Sequence, residues 1–236
     1  MSDPEAVRHM VEGAVAQWGR VDILVNNAGV LRDKSFAKMS LEDFRFVLEV
    51  HLMGAVNCCK AVWDLMREQN YGRIVMTTSA SGLYGNFGQS NYAAAKMGLV
   101  GLMQTLALEG AKHDIRVNSL APVAATRMTE GVIQDEVHKL LKPEDATAGL
   151  LYLVSEAAPN RTILGVSAGT FAPAYVTLTQ GVFLPQATPE QVHGAFESIS
   201  DPAMQTVPIG AGDQIRLPME QFQRHNAHVI ASKTTS

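Results

Sequence analysis

"GRIVMTTSASGLYGNFGQSNYAAAKMGLVGL", residues 72–102, passes from strand to loop to helix without a break. Ile74, Val75, Met76 and Thr77 form a mostly apolar run, as in a strand buried on both faces. Gly82, Gly85 and Gly88 punctuate the loop 80–90, and helical spacing of apolar residues follows from about Asn91 to Lys112. The same order recurs on either side. Upstream, "VDILVNNAG" (21–29) is a strand opening into a loop. It follows an amphipathic helix over 4–18, with Pro4 near its start and Gly19 at its end. Ser40 and Asp43 have the form of a capping box, with Asp for the usual Glu or Gln, and open a helical pattern running to about Gln69. Downstream come the strand "IRVNSLAP" (115–122), a helix from Pro143 to about Ser155, and the strand "TILGVSAG" (162–169). Such alternation predicts an α/β fold, a doubly wound parallel sheet with helices on both faces. Beyond Gly169 the pattern changes to a hairpin-like segment, a helix start at Thr188-Pro189-Glu190-Gln191 and an irregular tail. The expected division is a Rossmann-type domain over 1–169 and a C-terminal extension over 170–236.

Composition narrows the function. Of the 236 residues 47% are hydrophobic and 18% charged, and the formal net charge is −4, so no basic surface is available for nucleic-acid phosphates. No stretch holds the ~18 uninterrupted apolar residues of a membrane span, and no leader-like segment opens the chain. Cys58 and Cys59 are adjacent, where a disulfide would be strained, and read as two buried thiols in a reducing cytoplasm. His225 and His228 lack further ligands at plausible spacing, so no metal is expected.

Tyr92 and Lys96 stand four residues apart, on one helix face, with Ala93, Ala94 and Ala95 leaving room for a bound molecule. Tyr-x-x-x-Lys alone is a weak signal and reads equally as surface decoration. Its chemical content is specific, however. A phenol ionises near 10, and bringing it to neutrality requires roughly 4 kcal/mol. An ammonium at ~5 Å supplies about 3 kcal/mol at an effective dielectric of 20 and under about 1 kcal/mol in water. The pair therefore works only when partly desolvated. Ser79 follows the carboxyl end of a strand, where ligands bind in open parallel sheets, and its hydroxyl suits a carbonyl oxygen. Such a serine can equally be a turn residue.

Taken together, "NNAG" after a strand, Ser79 thirteen residues before the tyrosine, "NYAAAK" and "VNSLAP" resemble the short-chain dehydrogenase/reductase family. Within it, "NNAGVLRDKSFAKMS" and "APVAATRMT" are similar to the (3R)-hydroxyacyl-CoA dehydrogenase group, over about residues 1–169. The resemblance implies hydride transfer between a nicotinamide cofactor, NAD with NADP not excluded, and a secondary alcohol or ketone, borne on an acyl-CoA in the narrower group. It makes Tyr92 the general acid/base. Lys96 would hold the nicotinamide ribose and lower the phenol's pKa, and Ser79 would steady the substrate oxygen. Asn26, Ala28, Gly29, Pro122, Val123 and Thr126 match cofactor-side positions, together with Tyr92 and Lys96. Gly98 and Gly101 give the helix of Tyr92 and Lys96 a small-residue face that core packing explains; the resemblance also implies a homo-oligomer, dimer or tetramer, formed through helices here.

Departures from the family pattern matter too. His51 stands where many members have Asn, and Val123 stands where most have Gly. No G-x-G-x-x-G or TGxxxGxG turn occurs in the sequence to bring N–H groups to a pyrophosphate. Aligned on the family's strand order 3-2-1-4-5-6-7, the chain supplies strands 4 to 7, which leaves the Val21–Asn26 strand at an edge. A second reading follows: a cofactor-incompetent, dehydrogenase-like module that binds a partner chain.

Overall fold

The computed structural model describes residues 1–125, 140–216 and 218–223. These form two compact units, Met1–Ala174 and Tyr175–Ser236.

In the first unit, helix α1 (Pro4–Trp18) starts where the Asp3 carboxylate accepts from the Glu5 and Ala6 amides, and it ends at Gly19 with φ 77°, a left-handed cap that favours glycine. Strand β1 (Ile23–Asn26) follows. The helical pattern expected as one piece from Ser40 to Gln69 divides into α2 (Leu41–Leu48), a π-turn over Glu49–Met53 and α3 (Gly54–Gln69). Only half of the expected capping box forms. Ser40 Oγ accepts from the Asp43 amide at 3.0 Å, but the short Asp43 side chain turns to Lys34 and Arg32 instead. Strand β2 (Gly72–Thr77), α4 (Ala80–Tyr84), α5 (Ser90–Gly110), β3 (Ile115–Val123), α6 (Pro143–Leu153), β4 (Ile163–Ser167) and β5 (Thr170–Ala174) complete the unit.

The sheet order is β1-β2-β3-β4-β5. The first four strands are parallel and β5 runs antiparallel to β4. Ala168 (φ 46°) and Gly169 (φ 73°) make the two-residue turn between β4 and β5, the geometry that matches strand twist. Pro173, which has no N–H, is tolerated because β5 is an edge. On one face Ile74, Met76, Ile115 and Val117 pack against Val62 and Met66 of α3 and Leu99 and Met103 of α5. On the other, Val75, Leu120 and Val166 meet Leu153 of α6.

The run Leu41–Gln69 is long and apolar enough to span a membrane by length and composition alone. Val47, Ala55, Cys59, Val62 and Met66 are nevertheless buried in the fold. Cys58 and Cys59 are buried and free. In the second unit, Thr188 and Gln191 close a reciprocal capping box at the start of α7 (Pro189–Ile199).

Candidate active site

The parallel strands place the carboxyl ends of β1, β2 and β3 side by side. The sequence positions gather there. Ser79 lies two residues beyond β2 and caps α4, its Oγ accepting from the Ser81 amide at 3.2 Å. Tyr92 and Lys96 occupy the first turns of α5, which packs on β2 and β3. The Lys96 Nζ is 5.3 Å from the centroid of the Tyr92 ring and donates to the Thr77 carbonyl at 2.6 Å. Thr78 Oγ1 donates to the Lys96 carbonyl at 2.8 Å and ties the helix to the strand end. Asn91, fully buried, accepts from the Tyr92 amide through Oδ1 at 2.7 Å and donates to the Arg32 carbonyl at 3.1 Å.

Burial sets the electrostatics. The Lys96 ammonium, stripped of water, ionises at about 8 instead of its ordinary 10.5. The Tyr92 phenol is pushed up, first by burial, with a hydrogen bond to Ser79 acting the other way and the Asp33 charge adding to the rise. The net shift is upward, opposite in direction to the lowered phenol that the resemblance implies. His51, in the π-turn, is held neutral by burial and by the Lys96 charge, against a hydrogen bond to Val30 that favours the cation.

The remaining expected positions separate. Asn26 turns its amide inward, with Nδ2 3.5 Å from Cys59 Sγ and 3.4 Å from Met76 Sδ, and its buried Oδ1 has no partner among the described residues. Ala28 and Gly29 are exposed. Pro122 and Val123 end β3, half-buried and in register with Val166 and Ser167. Thr126 lies outside the described residues, as do His225 and His228. The glycine segment is not a free loop. Gly82 sits in α4 with its missing Cβ 2.7 Å from Lys96 Cβ, while Gly85 and Gly88 take φ of 82° and 83°. The segment is also tied across the site, by Lys34 N to Gly88 O at 2.9 Å and Gln89 Nε2 to Asp33 at 2.7 Å.

Residues 1–137 match the short chain dehydrogenase family. The chain belongs to that family. It is 47% identical over 197 residues to the peroxisomal hydratase-dehydrogenase-epimerase of Saccharomyces cerevisiae, covering 81% of this chain and 22% of that protein. It is 45% identical over 202 residues to peroxisomal multifunctional enzyme type 2 of Mus musculus, covering 84% and 28%. The full-length peroxisomal multifunctional enzyme type 2 of Drosophila melanogaster superposes with a TM-score of 0.74 at 36% identity, covering 84% of this chain and 38% of that one. The chain thus spans under a third of the two sequence relatives' length. The family uses NAD or NADP. The residues present fit the nicotinamide-ribose end of such a cofactor: buried Lys96 has three donors and, among the described residues, gives one to Thr77 O. The sequence supplies no glycine-rich turn for the pyrophosphate.

Sequence reading overlooked Thr77, Thr78 and Asn91 as the groups that seat Lys96 and Tyr92. The only available signal was their adjacency to the motif in "TTS" and "NYAAAK".

Proposed function

We propose that the chain transfers a hydride between a nicotinamide cofactor, NAD or NADP, and a secondary alcohol or ketone of the 3-hydroxyacyl thioester type. The observation that carries this reading is the seat of Tyr92, Lys96 and Ser79 at the strand carboxyl ends, with the ammonium 5.3 Å from the phenol ring. The relatives' names, which include a dehydrogenase acting beside a hydratase, support the acyl substrate. Bound cofactor supplies or removes the hydride. The chain's own residues handle the oxygen and the proton. In reduction, the phenol of Tyr92, protonated at neutral pH, gives its proton to the ketone oxygen as the hydride reaches the carbon. Ser79 holds that oxygen, and the phenolate left behind gains about 3 kcal/mol from the Lys96 cation at ~5 Å and an effective dielectric of 20. Lys96 is charged below about pH 8, so reductive turnover should fall as pH rises through that value, which a pH–rate profile measures. Tyr92→Phe should cut turnover at least a hundredfold, on the scale of general acid–base catalysis, with an unaltered melting temperature. Near wild-type turnover in that variant would refute the assignment.

The exposed edge supports a second reading. Among the described residues β1 has one sheet neighbour, and Ile23 and Val25 on it are 47% and 37% exposed. A cofactor-incompetent module that binds a partner through this edge would leave them so. Titrating NADH by fluorescence discriminates: saturable binding supports the enzyme, and none at millimolar concentration supports the module.

Homo-oligomerisation is part of the proposal. It is supported by a groove of about 660 Å³ on α2 and the π-turn, lined by Phe46, Leu48, Leu52 and Met53 among others and by none of the site residues. Exposed Leu41, Met97 and Leu108 add to the apolar surface of these helices and α5. A cytoplasmic location is proposed on the two free thiols alone; fractionation of the native protein tests it.

A further inference from the structure

Ser79, Tyr92 and Lys96 stand on two elements. Tyr92 and Lys96 share α5, so the helix itself fixes their spacing, whereas Ser79 follows the end of β2. Whether the serine and the phenol converge on one oxygen therefore depends on how α5 is set along its axis against that strand end. Thr78 stands at this junction, 1% exposed and next to Ser79 in the chain. Its amide donates to the Leu120 carbonyl at 2.8 Å, which holds its backbone to β3. Its hydroxyl donates to the Lys96 carbonyl, also at 2.8 Å. That carbonyl lies within α5, where the amide of Val100, four residues on, is its helical partner. A carbonyl oxygen has two lone pairs, so the bond from Thr78 is additional to what the helix needs. Two other contacts grip the same lysine at different heights: the Thr77 carbonyl accepts from Nζ at 2.6 Å, and Gly82 would place a Cβ 2.7 Å from Lys96 Cβ. Of the three, only the Thr78 bond is both directional and made to the backbone of α5.

We propose that Thr78 is a positioning residue whose buried hydroxyl sets the axial register of α5 against the end of β2, and so brings the Tyr92 phenol and the Ser79 hydroxyl to the same substrate oxygen. This rests on the reading of Tyr92 as the proton donor and of Ser79 as the group that holds the oxygen. Hydrogen bonds weaken steeply away from their preferred geometry, so a buried one, with no water to replace it, restrains a sliding motion that apolar packing tolerates. Because Tyr92 and Lys96 move together, loss of the bond should disturb the step that needs the serine and leave the lysine's hold on the cofactor in place.

Thr78→Val keeps the size and the branched Cβ and removes only the donor. Its kcat should fall about tenfold while the KM for the nicotinamide cofactor stays within about twofold of wild type, a split that a general loosening of the site would not give. Thr78→Ser, which restores the donor, should recover most of the rate. In a Ser79→Ala background Thr78→Val should cost nothing further, because groups that act through one contact are not additive. A second readout needs no turnover. Ser79 lowers the ionisation of the Tyr92 phenol through a hydrogen bond, so Thr78→Val should raise the phenol's midpoint in the same direction as Ser79→Ala. The midpoint is followed in the near ultraviolet as the difference from the matching Tyr92→Phe proteins; Asp33 and Lys96, the charged groups around this ring, are the same in both variants. An unchanged kcat and phenol midpoint in Thr78→Val, or a loss that multiplies with that of Ser79→Ala, would overturn the assignment. Should Thr78→Val fail to fold by circular dichroism, Thr78→Ser against Thr78→Cys compares a strong donor with a weak one of like size. Slower turnover and a higher midpoint in the cysteine variant would support the role, and equal values would overturn it. Absence of turnover in the wild type would count against the enzyme reading, while the phenol midpoints would still decide the role of Thr78.

Discussion

The ammonium of Lys96 ionises at about 8 rather than 10.5 because 3% exposure leaves it almost no water. Between these values the unfolded chain holds a proton that the folded one has shed, so stability should rise with pH from about 8 to about 10.5. Below that window the full cost remains, roughly 3 kcal/mol for a shift of this size. Lys96→Met, similar in length and uncharged, should therefore unfold at higher denaturant at pH 7, by up to about 3 kcal/mol, and should lose turnover altogether. A variant that is both less stable and inactive would contradict this. The Tyr92, Lys96 and Ser79 set was legible in the sequence because an i, i+4 pair lies on one helix face whatever surrounds it. The direction of the Tyr92 shift was not, because burial outweighs the Ser79 hydrogen bond, and burial is a property of what packs over the ring. Cys59 is a parallel case. Burial pushes its thiol up to about 12, so it should resist alkylation in the folded protein and react on unfolding.

Elements are held in register by polar ties that periodicity cannot reveal. Arg73 on β2, 1% exposed, donates to the carbonyls of Gly72, Asp114 and Ser155, pairs with the Asp114 carboxylate at 3.2 Å and lies 4.2 Å from the Tyr71 ring centroid. It joins β2 to the turn before β3 and to the end of α6, on the side of the sheet away from the site. Arg73→Ala leaves these carbonyls without their donor and a cavity behind; it should cost about 2–5 kcal/mol in denaturant unfolding. An apolar strand reading predicts no arginine at this depth, and none was singled out from the sequence. Gly82 shows the same limit. It falls in the segment 80–90 expected as a loop, yet α4 approaches α5 so closely that a Cβ would lie 3.0 Å from the Lys96 carbonyl carbon and the Met97 amide. Gly82→Ala must move backbone, and should cost about 1–3 kcal/mol and reduce turnover by shifting Lys96. The π-turn was invisible for a related reason: its single inserted residue leaves both flanking helices with good 3.6-residue periodicity.

At the scale of the whole molecule, apolar helix surface and an open strand edge remain uncovered. Replacing Phe46, 41% exposed beside the groove, with Glu should lower the mass measured by light scattering to that of a monomer if the helices form the interface. An unchanged mass would place any oligomer contact elsewhere. The order of the main strands and helices, the parallel sheet and the placing of Tyr92 and Lys96 on one helix face were determined by the sequence alone, because periodicity, glycine caps and short spacings are local and survive without neighbours. The inward turn of Asn26, the antiparallel β5 that joins the first unit rather than the extension, the Lys96 ionisation and the hydrogen bond from Thr78 to the Lys96 carbonyl were decided by tertiary structure. Each depends on the distance between segments remote along the chain, and on how much water their packing excludes.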